Sequence, residues 1–166
     1  MKRILFVLLA TIVISPATIA QTRGRSTAPK PKPAATPTPR VNEVRTAGAN
    51  RVAEQIKLLA RFIYILGGTN ESIKRDEGDP DAAKKNPMAK NLIRTGITGF
   101  RDGLDKLEID FRATPELQPY YIKLAGVASG AANAEQQAAN NQFDAAGRSL
   151  LLVVNRLADV LVAMRL

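Results

Sequence analysis

The stretch from Asp144 to Leu166 carries the densest apolar pattern in the chain. Ala146, Leu150, Val153, Leu157, Val160 and Met164 follow one another at steps of 4, 3, 4, 3 and 4. Those steps keep one face of an α-helix apolar, because side chains three and four residues apart share a side of the turn. Leu151, Val154, Ala158 and Leu161 add a second row beside the first. An apolar arc that wide needs neighbours on more than one side. Three earlier segments supply them. Val52, Ile56, Leu59, Ile63 and Leu66 form one seam, and Ile93, Ile97, Phe100, Leu104, Leu107 and Phe111 a second. Tyr120, Leu124, Val127, Ala131, Ala134 and Ala138 form a third. Polar residues such as Arg51, Glu54, Gln55 and Lys57 fall on the opposite side of the first seam. Strand-type alternation over a useful length is nearly absent.

The residues between the seams set the boundaries. Asn42 is placed to cap the first helix, and Gly67-Gly68 to stop it. Asn86 followed by Pro87 reads as a cap and first helical position. Pro115-Glu116 reads as a new first turn after the break at Ala113-Thr114, with Pro119 forcing a short opening turn or a kink. Asn140-Asn141 ends that helix, and Asp144 caps the last one. The pattern predicts helices over about 42–66, 87–112, 115–140 and 144–165. Between the first two lies a charged loop, 67–86, in which Asp79-Pro80 marks one capped helical turn. Two short connections and one long one predict an all-α domain over 42–166, an antiparallel four-helix bundle with one long crossover loop. The turn Asn140-Asn141-Gln142-Phe143-Asp144-Ala145-Ala146 resembles the helix-to-helix turn of a tetratricopeptide repeat. No period of about 34 residues accompanies it, so nothing of that family is carried over.

Two local features carry both a packing reading and a binding reading. Leu58, Phe62 and Ile65 widen the apolar arc of the first helix, either as a thickening core or as a partner-binding patch. Gly96, Gly99 and Gly103 line one edge of the second seam. Each glycine costs a helix about 1 kcal/mol against alanine, so three in a stripe need a reason. Close approach of the third helix, through Ala125, Ala128 and Ala132, supplies one, and a shallow ligand groove is the alternative. On the packing reading Gly99→Leu destabilises the domain by overpacking. Arg101 with Asp105, and Asp102 with Lys106, are spaced as outward ion pairs.

Ahead of the helices the chain changes character twice. Lys2 and Arg3 precede an uncharged, mainly apolar run of eleven residues, Ile4 to Ile14, closed by Ser15-Pro16 and the small residues up to Ala20. Met1–Ala20 therefore reads as a secretory signal peptide cleaved near Ala20. A spanning helix needs about 20 apolar residues, so the mature chain is expected to lack a transmembrane span. An uncleaved anchor is the alternative. Residues 21–41 are rich in Pro, Thr and Ala and read as a disordered tether, with Pro29, Pro31, Pro33, Pro37 and Pro39 removing amide donors.

Charge sharpens that division. The formal net charge is +9, yet residues 41–166 hold 17 basic against 15 acidic side chains. The excess sits in the leader and in Arg23, Arg25, Lys30, Lys32 and Arg40, with no acid among them. These five are the candidate contacts to an anionic surface such as phospholipid headgroups or an acidic wall polymer. The alternative is a plain soluble spacer. A near-neutral domain argues against nucleic acid.

The residue inventory narrows the chemistry. The chain has no cysteine, histidine or tryptophan. Disulfides, thiolate nucleophiles, the commonest metal ligand and the usual general base are all excluded. Asp76, Glu77, Asp79 and Asp81 lack the alternating oxygens and closing glutamate of a calcium loop. Tyr64, Tyr120 and Tyr121 read as wedge residues, and Ser129 and Ser149 have no base partner in view. The expectation is an exported protein, periplasmic or extracellular, without catalytic residues, cofactor or metal. It acts as a structural or interaction module whose partner is an envelope or secreted protein, or an anionic surface met through the tail. The alternatives are a small-ligand carrier bundle and an enzyme working without His or Cys.

Overall fold

Residues 39–165, the part that the computed structural model describes, form six α-helices and, among these residues, no strand. They are α1 (Pro39–Asp76), α2 (Pro80–Ala83), α3 (Asn86–Ala113), α4 (Gln118–Leu124), α5 (Val127–Ala139) and α6 (Phe143–Arg165). The domain is all-α, as the periodicity predicts. The predicted signal peptide and nearly all of the predicted tether, with Arg23, Arg25, Lys30 and Lys32, lie outside the described residues. Arg40, assigned from sequence to the tether, instead stands in the first turn of α1.

Contacts between helices fix their order and direction. On α1 and α3, Arg51 meets Asp110, and Phe62 meets Phe100 with ring centroids 5.1 Å apart. On α3 and α5, Arg94 donates to the Ala138 carbonyl while Glu108 accepts from the Ala128 amide. Ser149 of α6 donates to Gln137 of α5, and Val153 lies against Gly130. Met164 packs beside Gly48 of α1, and Asp144 accepts from Asn70 near the other end. In each pair the residue numbers run in opposite directions. The four long elements thus close a ring, α1–α3–α5–α6, with neighbours antiparallel and α4 lying against α3 and α6. The core follows the seams. Val52, Leu59, Leu66, Ile97, Leu104, Phe111, Leu124, Val127, Ala131, Ala138, Leu150, Leu157 and Val160 are all buried.

The boundaries depart from the sequence reading in three places besides the start of α1, which at Pro39 leaves Asn42 inside the helix instead of capping it. First, α1 continues through Gly67-Gly68 to Asp76 instead of stopping at Leu66. A glycine stop requires left-handed backbone, and among the described residues only Asn141 and Gly126 have positive φ. The buried Ile73 and Asn70 extend the α1 seam by two turns and offset the weak helix preference of the glycine pair.

Second, the caps shift. Asp79 caps α2 as read, accepting from the Asp81 and Ala82 amides. Asn86 caps nothing: it is the buried first residue of α3, and its Nδ2 donates to the Ile73 carbonyl, 3.3 Å away, on the last turns of α1. Asp144 lies inside the first turn of α6, which begins at the buried Phe143.

Third, the predicted 115–140 helix is two helices. Of the two outcomes expected of Pro119 the fold takes the opening turn: residues 115–117 form a turn and Pro119 stands in the first turn of α4, where a missing amide costs little. The break falls at Gly126, whose φ of +93° is open to glycine but strained for other residues.

Candidate interaction surface

The α4–α5 break is held from outside its own segment. Glu108 on α3 accepts from both the Gly126 and Ala128 amides, at 3.0 and 2.8 Å. Its carboxylate does for α5 what an N-cap side chain does elsewhere, satisfying orphan donors at the positive end of the helix dipole. One face further along, Glu135 of α5 accepts from Thr98 and from Arg101 of α3. Arg101 also binds Asp102, so the expected pairs Arg101–Asp105 and Asp102–Lys106 are replaced. Those two carboxylates raise the Arg101 pKa, the Asp102 hydrogen bond most of all. At the far end Arg94 donates to the Ala138 and Ala139 carbonyls, closing the C-terminus of α5. This polar seam is fully engaged in joining α3 to α5.

A second polar cluster closes the end of the domain where α1, the start of α3 and the α5–α6 turn meet. Asn70 donates to Asp144 at 2.7 Å, and Lys74 bridges Glu71 and Asp144. Those two partners raise the Lys74 pKa from its ordinary 10.5, Glu71 first. The cleft beside them, about 510 Å³, is also lined by Glu77, Lys90 and Arg148. Among the described residues every buried side-chain polar atom has a hydrogen-bond partner, and no three carboxylates converge as metal ligands would.

The predicted glycine–alanine contact is not the one the fold uses. A β-carbon on Gly96 would meet the Phe62 ring of α1 at 2.5 Å, one on Gly103 would lie 3.9 Å from Gln55 of α1, and one on Gly99 would meet nothing. The glycine edge of α3 therefore turns to α1 and to solvent, away from Ala125, Ala128 and Ala132. Ala125 is the residue that ends α4, and Ala128 and Ala132 are half-buried on α5. The tight glycine contact on α5 is instead at Gly130, where a β-carbon would sit 2.7 Å from Val153 Cγ2 of α6. Two turns of α1 beside this edge expose Leu58 and Ile65, and α3 exposes Leu92. The charges around them are of both signs: Arg51 pairs with Asp110, Glu54 with Lys57 and Arg101 with Asp102, while Arg61, between Leu58 and Ile65, has no carboxylate within salt-bridge distance among the described residues.

The solvent face of α6 is different. Its breadth of apolar residues exceeds what α1, α4 and α5 cover, and Leu151, Leu152 and Val162 remain exposed, Leu152 at 70% and Val162 at 59%. Ile122 of α4 is 80% exposed beside Lys123. Lys123 faces Arg156 and Asp159 across a groove of about 400 Å³ that reaches Val162. A second groove, about 370 Å³, runs from Ser129 and Asn133 of α5 past Leu152 to Arg156.

Residues 118–165 hold four basic and three acidic side chains, and the pairing is what decides the character of this face. Glu135 is engaged by α3 and Asp144 by α1. Asp159 is left against Lys123 and Arg156; neither these nor Arg165 and Arg148, toward the two ends of α6, has a carboxylate within salt-bridge distance among the described residues. The result is a shallow, net-positive surface set with exposed aliphatic side chains.

The sequence reading noted the breadth of the α6 arc and assigned all of it to burial. The signal for an interaction surface lay in the same stretch, in Leu151-Leu152 and Val162 interleaved with Arg148 and Arg156. No helix among the described residues is long and apolar enough to cross a membrane. Compared with family models, with curated proteins and with solved structures, the chain matches none.

Proposed function

We propose that the protein is an exported, non-enzymatic antiparallel four-helix bundle that serves as an interaction module, with the basic tether positioning it. The observation that carries this reading is the exposure of Ile122 on α4 and of Leu152 and Val162 on α6, near Lys123 and Arg156, which have no carboxylate within salt-bridge distance among the described residues. Exposed aliphatic side chains grouped on one face mark a surface that meets another body. The rest of the polar network supports the same reading, because Glu108, Arg94, Arg101, Glu135, Asn70 and Lys74 are all engaged in holding helices together.

Photo-crosslinking in the native cell tests the proposal. A photoreactive residue at Leu152 is expected to give discrete adducts, while one at Leu92 on α3 gives few. Equal adducts at the two positions, or none to protein or to lipid at Leu152, would remove the basis for an interaction face on α6. Fractionation of the same cells tests export: recovery of the intact chain in the cytoplasm, leader still attached, would refute it.

A further inference from the structure

The face just described has a sign and a shape as well as an apolar character. Arg148, Arg156 and Arg165 lie along α6 over a rise of about 26 Å, and Lys123 adds a fourth cation from α4. Asp159 is the acid among them. Leu151, Leu152 and Val162 are exposed on the outer half of α6, Leu151 toward α1 and Leu152 toward α5, and Ile122 precedes Lys123. A helix lying in a membrane interface uses this arrangement, with aliphatic side chains reaching the acyl boundary and long basic ones at the level of the phosphates.

We propose that the α4–α6 face docks on an anionic phospholipid surface, with Ile122, Leu152 and Val162 entering the interface and Lys123, Arg148, Arg156 and Arg165 meeting headgroup phosphates. The proposal rests on the interaction-module reading and names its partner. Charge selects the occupant: this face sets its cations against Asp159 alone, whereas the apolar rim between α1 and α3 mixes both signs, with Glu54 and Asp110 beside Arg51, Lys57 and Arg61. An outer helix face with shallow grooves also suits a flat partner better than an inserted peptide. The tail adds Arg23, Arg25, Lys30 and Lys32 without a single acid, so both parts of the chain favour the same anionic partner. One weak electrostatic contact becomes two linked ones.

The absence of tryptophan makes the test direct, since a single introduced indole reports its own surroundings. Full-length chain carrying Leu152→Trp is mixed with vesicles of equal parts phosphatidylglycerol and phosphatidylcholine, and separately with pure phosphatidylcholine. Leu92→Trp on α3 is the control, and circular dichroism checks that each variant is folded. The proposal expects a blue-shifted, quencher-protected indole at position 152 with anionic vesicles alone, and no change at position 92. Arg148→Gln, Arg156→Gln and Arg165→Gln are each expected to lower vesicle partitioning roughly fivefold. Replacing Arg23, Arg25, Lys30 and Lys32 by Gln is expected to weaken binding while leaving the shift at position 152.

An unshifted indole at 152 on a chain that still pellets with vesicles would overturn the proposal, leaving binding to the tail. Equal shifts at 152 and 92, or equal binding to neutral lipid, would overturn it too. If vesicles leave the chain in solution but crosslinks at Leu152 still capture a protein, the lipid partner is wrong and the interaction module stands. Silence in both experiments sinks both.

Discussion

Replacing both Gly67 and Gly68 by alanine tests the least expected feature of the fold, the passage of α1 straight through a glycine pair. A β-carbon at either position would meet nothing within 4 Å, so packing contributes no cost. Both residues are helical, and neither has positive φ. Each substitution should therefore gain the helix-propensity difference of about 0.8–1.0 kcal/mol, or about 2 kcal/mol together. For a domain of this size that is a rise in Tm of about 6–10 °C. Thermal unfolding followed by circular dichroism at 222 nm, the wavelength of the helical signal, measures it, and urea unfolding should show the same gain in midpoint with an unchanged slope. The opposite sign is equally informative. If the helix ended at Leu66 with a left-handed glycine behind it, alanine would be strained there and Tm would fall. A fall for both single variants would refute the continuous α1, and with it the positions of Asn70, Ile73 and Lys74.

Other substitutions probe the packing and the charge network. Gly130→Ala and Gly99→Ala are the same chemical change in two helices, yet the first should destabilise by up to about 2 kcal/mol and the second should stabilise by up to about 1. Val153 Cγ2 lies 2.7 Å from the new β-carbon at Gly130, and a β-branched side chain in a helix has little freedom to turn away. Equal Tm shifts for the two variants would contradict the α5–α6 contact. Leu157 is fully buried, so Leu157→Ala should cost about 2–5 kcal/mol and Leu157→Asp should abolish cooperative unfolding. A cooperative melt for Leu157→Asp would show that α6 is placed wrongly. Because its pKa is raised in the folded chain, the charge on Lys74 contributes stability in full below its ordinary 10.5. That contribution is lost as pH rises through the raised value. The Tm difference between the native chain and Lys74→Met should be constant near neutrality and vanish at strongly alkaline pH; a difference that persists there would refute the ion-pair role.

The seams were legible because burial and spacing are the same information read twice. Ala146, Leu150, Val153, Leu157, Val160 and Met164 are all buried, as their steps of three and four require. Helix ends were less legible, since a terminus is decided by tertiary partners as well as by local preference. Gly67-Gly68 stays helical because Asn70 and Ile73 find partners beyond it. Asn86 has the chemistry of a cap, but its amide is used by a carbonyl thirteen residues earlier. The glycine stripe on α3 was correctly singled out and wrongly partnered, because periodicity gives the face of a helix and not the identity of its neighbour. Phe62 supplies the bulk that Gly96 admits. The α4–α6 face was hidden by a simple ambiguity: in sequence, an apolar residue awaiting a partner looks like one that already has its neighbour.

The carboxylate that bridges from α3 to the amides of Gly126 and Ala128 has a bearing on where this chain tolerates changes of length. Its two acceptor bonds fix residues 18 and 20 positions downstream, so the joint is gauged against a different rod. Adding or removing one residue between Leu124 and Val127 would rotate every later side chain of α5 by about 100° unless the joint absorbed it, and the gauge leaves no slack for that. The turn around Gly78, with a β-carbon there no closer than 4.0 Å to anything, carries no such gauge. Length variants of this protein should therefore accumulate near residue 78 and be rare near residue 126, a bias that random insertion scanning would expose without any knowledge of the partner.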